Sequence, residues 1–369
     1  MVSNAESQRP QRYAENVKFP PLRFSAVSAM KTTTSSICTG TRIFQKVKHT
    51  SMMQVPLKFR SLLSMLVLAV FGAAGCREPF EPKGTYQERL VLYSILSNRS
   101  DSQYVRVYTS YNPSGHNPLE NIVDTDIQNA RVTIATDSAS FALTSAVIPR
   151  DDRSRYPTNI GAYVAHPFPI QFGKTYTLTV TSADGNASAS VTTPGPGLVE
   201  ANNAYVMKNP EKYTDDISAK VRLSSVTQGY ILRLYVEFDT KLGSGVVHVR
   251  TEVPVAARPG GVAGFEYDYP MLVRRITDRF LVYEIVYFSL DAYKSLLQDL
   301  KTKYGEISLT NGTFILTQVE SNLYKYFNIA NGFQDDFSIR TDLPDYSNVV
   351  GGFGVFGAMR DDSVAFDLR

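Results

Sequence analysis

Tryptophan is absent from this chain of 369 residues, and Cys and His are rare, with two and four copies. Two Cys cannot hold together a disulfide-rich mini-protein, so folding must depend on packing. The His and Cys residues match no zinc spacing, and the sequence has no G-x-S-x-G, H-E-x-x-H or P-loop motif. A charged fraction of 20% with 11% aromatic residues argues against general disorder. We therefore expect a packed, non-enzymatic protein without a metal or cofactor.

Three His residues follow residue 75. His116 lies in a polar loop, His166 precedes a Pro, and His248 lies inside a strand-like run. We interpret them as surface or packing residues, and a zinc site or a catalytic triad is the alternative that we favour less.

Closely spaced acidic residues are the other candidates for chemistry. They could ligate calcium or supply the two carboxylates of a glycosidase, but none has the spacing of an EF-hand. We interpret them as solvated turns. The pairs are Asp124 with Asp126, Asp151 with Asp152, Asp215 with Asp216, Asp335 with Asp336, and Asp361 with Asp362.

Acidic residues are also scarce at the start of the chain. Residues 1–75 contain ten Lys and Arg but only two acidic residues, whereas the rest of the chain has more acidic than basic residues. Once the first segment is removed the protein is mildly acidic, so the sequence predicts no nucleic-acid partner.

An uncharged, mostly apolar run from Ser61 to Phe71 follows Lys58 and Arg60 and precedes Gly72-Ala73-Ala74-Gly75-Cys76. At about 1.5 Å per residue it falls short of the roughly 30 Å hydrocarbon core, so it predicts a signal peptide rather than a membrane span. The small residues before Cys76 resemble the lipobox of bacterial lipoproteins, whose Cys is acylated and becomes the first residue after cleavage. The resemblance implies a lipid anchor at Cys76 that binds the protein to the membrane.

The rest of the chain is rich in strand-like runs with turn residues between them. Thr175–Thr181 alternates apolar and polar residues and meets a second run across Ala183-Asp184-Gly185-Asn186, which predicts a hairpin. Short strands with almost no helical period favour a mainly β fold, with an N-terminal immunoglobulin-like antiparallel β-sandwich. A helix is predicted from Ser289 to Leu300 and a shorter one from Ser321 to Phe327.

Pro194-Gly195-Pro196-Gly197 cannot continue a strand or a helix and is the best domain boundary. The predicted segments are an extension that is dispensable or precedes the true start (1–51), a lipoprotein signal peptide (52–75), a tether (76–85), the N-terminal β-sandwich (86–194) and a second β-rich domain with one or two short helices (198–369).

Val319–Phe327 and Asp342–Ala358 resemble the closing signature of a lipoprotein family of Bacteroidota, catalogued as domain of unknown function 4249 (DUF4249). The opening strand Leu90–Leu96 and the strand in Gly173–Thr181 resemble the same family, so the similarity covers residues 76–369. The resemblance implies a role in the cell envelope, beside TonB-dependent outer-membrane transporters. The family has no known catalytic residues, so none is transferred to this chain.

Gly352 to Gly357 fits the G-x-G-x-x-G pattern of a dinucleotide site, but the helix and the βαβ unit that such a site needs are missing from the sequence. We predict a closely packed or bulged strand there and no nucleotide partner.

Arg258–Gly264 is predicted to be a flexible connection. Four Tyr residues, Tyr267, Tyr269, Tyr283 and Tyr287, either stack on sugars or peptides or fill a β core.

Together these observations favour an outer-membrane-anchored lipoprotein, periplasmic or surface-exposed, that acts as a non-enzymatic binding or scaffolding accessory to a TonB-dependent transporter. Two alternatives remain open. One is an envelope hydrolase that acts on glycan or peptide through carboxylates, and the other is a structural or adhesive surface lipoprotein.

Overall fold

A computed structural model describes residues 86–112, 122–151, 153–154, 156–243, 245–260, 264–276, 283–330 and 346–369. The extension, the signal peptide, Cys76 and the tether up to residue 85 lie outside these residues. So do His116, Asp152, the pair at 335 and 336, residues 261–263 of the predicted connection, and residues 342–345 of the closing signature. No helix in the described ranges is long and apolar enough to cross a membrane.

The first half of the described chain consists of strands. The hairpin predicted from the turn at Ala183-Asp184 is confirmed, because Ser182 pairs with Gly185 and the two strands stay in register to Thr175 and Thr192. The strands are β1 Leu90–Ser97, β2 Gln103–Thr109, β3 Arg131–Ala135, β4 Ser140–Ile148, β5 Ile160–Ala165, β6 Thr175–Ser182 and β7 Gly185–Thr192.

The second half combines strands with two α-helices and two short 3₁₀ helices (Ala204–Lys208 and Pro210–Lys212). The strands are β8 Leu198–Ala201, β9 Ile217–Arg222, β10 Thr227–Leu242, β11 Gly245–Val253, β12 Ala256–Pro259, β13 Phe265–Asp268, β14 Val273–Arg274, β15 Glu284–Phe288, β16 Ile307–Glu320 and β17 Gly352–Asp367. The helices are α1 Leu290–Tyr304 and α2 Ser321–Ala330.

One long sheet runs through both halves. Its strand order is β11-β10-β16-β17-β1-β2-β5-β4-β3-β6-β7, and β14 also pairs with β10. Two smaller sheets, β12-β13 and β15-β9-β8, complete the described strands. The prediction of a mainly β fold is therefore confirmed.

The first hydrophobic core lies between strands of the first half. Its buried side chains come from β1, β2, β5 and the later strand β17 on one side, and from β3, β6 and β7 on the other. β4 joins the two sides, because its first residues pair with β3 and its last residues pair with β5. Two groups of strands packed face to face are consistent with the predicted sandwich, and its immunoglobulin-like character stays a prediction.

The second core is formed by residues after 198. Strands β8, β9 and β15 and helix α1 bury their apolar side chains against β10 and β16. Alternation along β10 explains this: Leu232, Leu234 and Val236 are buried, whereas the residues between them are half-buried on the other face. The second core uses only residues after the predicted boundary, whereas the first also takes Val349, Phe356 and Ala358 from beyond it. The division into two domains stays a prediction.

The segment between the cores is held by buried hydrogen bonds. The Nε2 atom of Gln318, which is fully buried, donates to the Gly195 carbonyl at 3.1 Å and to Asp362 Oδ2 at 3.0 Å. Asp362 Oδ2 also accepts from the Gly197 N–H at 2.9 Å. Because the Gln318 amide bonds both the backbone and a carboxylate, the connection is fixed against β16 and β17.

The predicted helix at Ser289–Leu300 is confirmed as α1, and both of its ends are capped. The Ser289 hydroxyl accepts from the Ala292 N–H at 3.2 Å, and the Gly305 N–H donates to the Lys301 carbonyl at 2.9 Å. The predicted second helix is confirmed and extends three residues further, to Ala330.

The G-x-G-x-x-G segment is a strand, as predicted, and belongs to β17. This strand pairs in parallel with β1 from Gly352 opposite Leu90 onward, and antiparallel with β16. Gly354 has φ +112°, and a Cβ atom at this position would lie 1.9 Å from the carbonyl oxygen of Leu92. Only Gly fits this close approach of two backbones.

Several strands have no counterpart in the sequence analysis. Among them, β16 is the longest, and it pairs with both β10 and β17. Its Asn311-Gly312 pair is typical of a turn, but Phe366 packs where a side chain on Gly312 would lie.

Gly354→Ala is expected to lower the free energy of unfolding by about 3 kcal/mol or more, because the added methyl group must displace the β1 backbone. Gly243→Ala is the matched control, since Gly243 also has a positive φ (+62°) but nothing within 4 Å of an added Cβ. Urea unfolding measures both variants. If the free energy of unfolding fell equally in the two variants, the close approach of β17 to β1 would not be the cause of the loss.

Candidate functional site

Exposed apolar side chains flank the outer edge of the small β15-β9-β8 sheet. We define the β15 strip as Ile276, Tyr283, Ile285 and Tyr287. All four are exposed, to 85% for Ile276 and 59% for Tyr287. The Ile276 N–H donates to Glu284 Oε1 at 2.9 Å, which places Ile276 beside β15. Several exposed apolar side chains along and beside one short strand are typical of an interaction site.

Side chains along β15 alternate between the two faces of the sheet, and this alternation leaves part of the β15 strip exposed. Glu284 and Phe288 are buried beneath the sheet, so Ile285 and Tyr287 point to the opposite, outer face. On that face Ile285 lies opposite Lys220 of β9, and Lys220 in turn lies opposite Glu200 of β8. The strip is therefore bordered by charged side chains, as the rims of protein interfaces are.

The four Tyr residues singled out in the sequence have different environments. Tyr283 belongs to the strip and donates from its hydroxyl to Glu200 Oε1 at 3.1 Å. Tyr267 packs against the second core, and its hydroxyl donates to Asp299 Oδ2 at 2.5 Å. Burial, this hydrogen bond and the charge of Asp299 raise the pKa of Tyr267. Tyr269 and Tyr287 are exposed, so three of the four lie on the surface.

Asp124 and Asp126 form an ion-pair cluster with two Arg residues. Arg106 Nη2 lies 2.7 Å from Asp124 Oδ1 and 3.0 Å from Asp126 Oδ1, and Arg150 Nη2 lies 2.5 Å from Asp124 Oδ2. Each Asp side chain is only 9% exposed. The expectation of a solvated turn is wrong for this pair, because the carboxylates are desolvated and bonded to guanidinium groups.

This cluster attaches the segment before β3 to its neighbouring strands. Asp126 Oδ2 also accepts from the Gly161 N–H of β5 at 2.8 Å. Burial lowers the pKa of Arg106, but the charge and hydrogen bond of Asp126 and the charge of Asp124 together raise it above its ordinary value. The carboxylate oxygens that a calcium ion would need are therefore already bonded to Arg106, Arg150 and the Gly161 N–H.

Asp361 and Asp362 are strand residues, so the expectation of a solvated turn is wrong for them as well. Asp361 pairs with Arg99, whose Nε lies 2.6 Å from Oδ2, and Asp362 pairs with Arg360 at 2.8 Å. Consecutive strand residues point to opposite faces, so these carboxylates cannot flank one scissile bond.

The remaining described acidic pair contributes to helix capping. Asp216 Oδ1 accepts from the Leu290 N–H at the start of α1, at 3.0 Å. Asp215 beside it is exposed, as is Asp151. Within the described ranges, no group of three His, Cys, Asp or Glu side chains is arranged to hold a metal ion.

The two described His residues are exposed, in agreement with the sequence interpretation. Nδ1 of His248 lies 2.8 Å from Asp239 Oδ1, across the β10-β11 pair. Nδ1 of His166 lies 3.1 Å from the Ser102 hydroxyl.

A groove of about 350 Å³ lies between β6, β7 and the start of α2. Glu320 lines it, and its carboxylate accepts from the Asn322 and Leu323 N–H groups, each at 2.7 Å. Burial raises the pKa of Glu320 in spite of these hydrogen bonds, which lower it. No motif in the sequence marks Glu320. Its hydrogen bonds show that it caps α2.

Asp124→Ala is expected to lower the free energy of unfolding by about 3 kcal/mol, because it leaves two partly buried guanidinium groups without this carboxylate. Asp137→Ala is the control: Asp137 is 70% exposed and pairs with Lys174 at 3.4 Å, so its loss should cost less than about 0.5 kcal/mol. Thermal unfolding with and without calcium completes the test. A stabilisation by calcium that Asp124→Ala removes would contradict the ion-pair role.

Comparison with curated proteins finds no match for this chain. One family model, described as Domain of unknown function (DUF4249), matches residues 77–364. This range includes all the strands of the first core and reaches β17, which pairs with both β1 and β16. The chain therefore belongs to the DUF4249 family.

Proposed function

We propose that this protein is a lipoprotein of the outer membrane, anchored through acylated Cys76, that serves as a non-enzymatic binding or scaffolding accessory of a TonB-dependent transporter. The lipobox-like segment before Cys76 is the observation that carries the proposal. Acyl chains contribute about 0.8 kcal/mol per buried methylene group to membrane attachment, so a multiply acylated Cys anchors a protein firmly.

Chain length between the anchor and the fold supports a role at the membrane surface. Residues 77–89 separate Cys76 from β1. Fully extended, they would reach about 40 Å, which allows the β-rich part to stand clear of the lipid and contact a neighbouring membrane protein.

The β15 strip supports a binding role over the hydrolase alternative. Its exposed aromatic and aliphatic side chains, bordered by Lys220 and Glu200, match the make-up of a partner interface. The hydrolase alternative would depend on paired carboxylates, and in the described ranges Asp124, Asp126 and Asp361 are bonded to Arg side chains. A docking protein is therefore the function that we favour.

A pull-down of the protein from gently extracted native membranes, with mass spectrometry of the partners and of the N-terminus, tests the anchor and the partner together. We expect an acylated Cys76 as the first residue and a co-purifying TonB-dependent transporter. Cys76→Ser should move the protein out of the membrane fraction. An unmodified Cys76 would refute the anchor, and repeated recovery without a transporter would refute the partnership.

Tyr287→Asp tests the docking surface separately from the anchor. A charge in the β15 strip should reduce transporter recovery about tenfold or more, because aromatic residues at the centre of interfaces carry much of the binding energy. The matched control is Tyr104→Asp, which changes an exposed Tyr of β2 in the first half. Membrane attachment should be unchanged in both variants. Unchanged recovery with Tyr287→Asp would exclude the strip as the contact.

A further inference from the structure

Strand β15 forms one edge of the small β15-β9-β8 sheet, and among the described strands it pairs with β9 alone. Its five residues, Glu284–Phe288, include Ile285 and Tyr287 of the β15 strip. An edge strand has backbone N–H and C=O groups on its open side, and these groups can pair with another chain. The hydrogen bonds of β9 show which residues of β15 supply them.

Alternate residues of a strand direct their backbone groups to opposite sides of the strand. Ser218 of β9 directs both of its groups to the β8 side. Its carbonyl accepts from the Asn202 N–H at 3.1 Å, and its N–H donates to Asn203 Oδ1 at 2.5 Å. The residues before and after Ser218 therefore direct their backbone groups to β15.

The register between β9 and β15 assigns the two sides of β15. Val286 lies opposite Ala219, the residue after Ser218, so Val286 exchanges its backbone hydrogen bonds with β9. Its two neighbours, Ile285 and Tyr287, consequently direct their N–H and C=O groups away from β9, to the open side.

Ser289 agrees with this assignment. It lies two residues after Tyr287, and its N–H donates to the Val255 carbonyl at 3.0 Å rather than to β9. Among the described residues, no backbone group bonds to Ile285 or Tyr287 on the open side. Both residues are exposed, so these four backbone groups lie within reach of another molecule.

The two edges of the long sheet are covered or charged, unlike that of β15. Ser188 of β7 exchanges two backbone hydrogen bonds with Val350, at 2.9 and 2.7 Å. At the other edge, β11 carries Arg250 and Glu252. Covering segments and charged side chains are means by which proteins keep sheet edges from pairing. Residues 285–288 of β15 are Ile-Val-Tyr-Phe, so this part of the edge carries no charge.

The open edge of β15 is complementary to a second copy of itself. If two β15 strands run antiparallel about a two-fold axis at Val286, Ile285 of each copy lies opposite Tyr287 of the other. The backbone groups on the open sides then meet in four hydrogen bonds. Two Ile–Tyr pairs form across the strands, and pairs of an aromatic and a β-branched residue stabilise a sheet. Identical edges bring identical charges together, and this edge has none to repel.

Polar side chains border the contact on the outer face. Beyond Ile285 the row continues with Lys220 of β9 and then Glu200 of β8. Beyond Tyr287 it continues with Ser218. An apolar centre with a polar border is the usual composition of a protein interface.

We propose that two copies of this protein pair through the open edges of β15, which joins their small sheets into one sheet of six strands. The pairing uses backbone groups, so the side chains of the β15 strip stay on the outer face and can still contact another protein. A five-residue edge is a small interface, so we expect a reversible dimer whose population rises with concentration. The proposal depends on neither the lipid anchor nor the transporter partner.

Sedimentation velocity of the detergent-solubilised full-length protein, over a range of concentrations, tests for the dimer. Ile285→Pro removes an N–H group that faces the open side, where an edge strand tolerates Pro. We expect this variant to stay folded and its dissociation constant to rise about tenfold or more. Val286→Pro is the matched control, because its N–H bonds to β9 and its loss should lower the temperature of thermal unfolding.

A disulfide cross-link locates the contact. At the two-fold axis the Cα atoms of the two Val286 residues lie about 4.5 Å apart, which is within the range of a disulfide. Val286→Cys, in a background of Cys38→Ser and Cys76→Ser, should therefore give a covalent dimer under mild oxidation. Val246→Cys, on the exposed part of β11, is the control and should stay monomeric on a non-reducing gel.

Three results would overturn the proposal. One is a protein that stays monomeric at every concentration and gives no cross-link through Val286→Cys. Another is a folded Ile285→Pro variant that dimerises as tightly as the unmodified protein. The last is a cross-link in native membranes from Val286→Cys to a different protein and not to a second copy, which would assign the open edge to that protein.

Discussion

The parallel pairing of β1 with β17 is the constraint on which the rest of this structure depends. It joins residues near the start of the described chain to residues near its end, from Leu90 opposite Gly352 to Ser97 opposite Met359. Phe356 and Ala358 of β17 complete the first core, and Phe366, near its end, packs against the second. One strand therefore closes both cores, and the long sheet is continuous because of it.

Two Asn side chains fix β17 by hydrogen bonds to its backbone. Asn98 holds the Asp361 backbone, donating to its carbonyl at 2.8 Å and accepting from its N–H at 2.9 Å. The Asn348 side chain bonds the Phe356 backbone in the same two-sided way. Asn348 and Phe356 belong to the closing signature, so part of that signature has a structural role in placing β17.

Local sequence patterns predicted the elements that are determined by interactions between residues close together in the sequence. The β6-β7 hairpin follows from its turn residues, and α1 follows from a stripe of apolar residues with Ser289 and Gly305 at its ends. Strand β16 was not predicted, and its Asn311-Gly312 pair is typical of a turn when taken alone. Its conformation is decided by β10 and β17 on its two sides, and neither contact is visible in a local window of sequence.

Ion pairs between residues that are distant in the sequence could not be predicted from a local window either. Spacing alone could not show that Asp124 lies between Arg106 and Arg150, which are far from it in sequence. The exposed Tyr residues near β15 were visible as a cluster, since strand alternation is a local property.

Because β17 follows all the other strands of both cores in the sequence, it is the last of them to be synthesised. A ribosome that has produced the chain through α2 has not yet supplied the strand that closes either core. Contacts between residues so distant in sequence form slowly, because the intervening chain must lose conformational freedom first. Until β17 has been made, β1 and β16 each lack a partner strand. Their unpaired edges are the part of the newly made chain most in need of protection from aggregation.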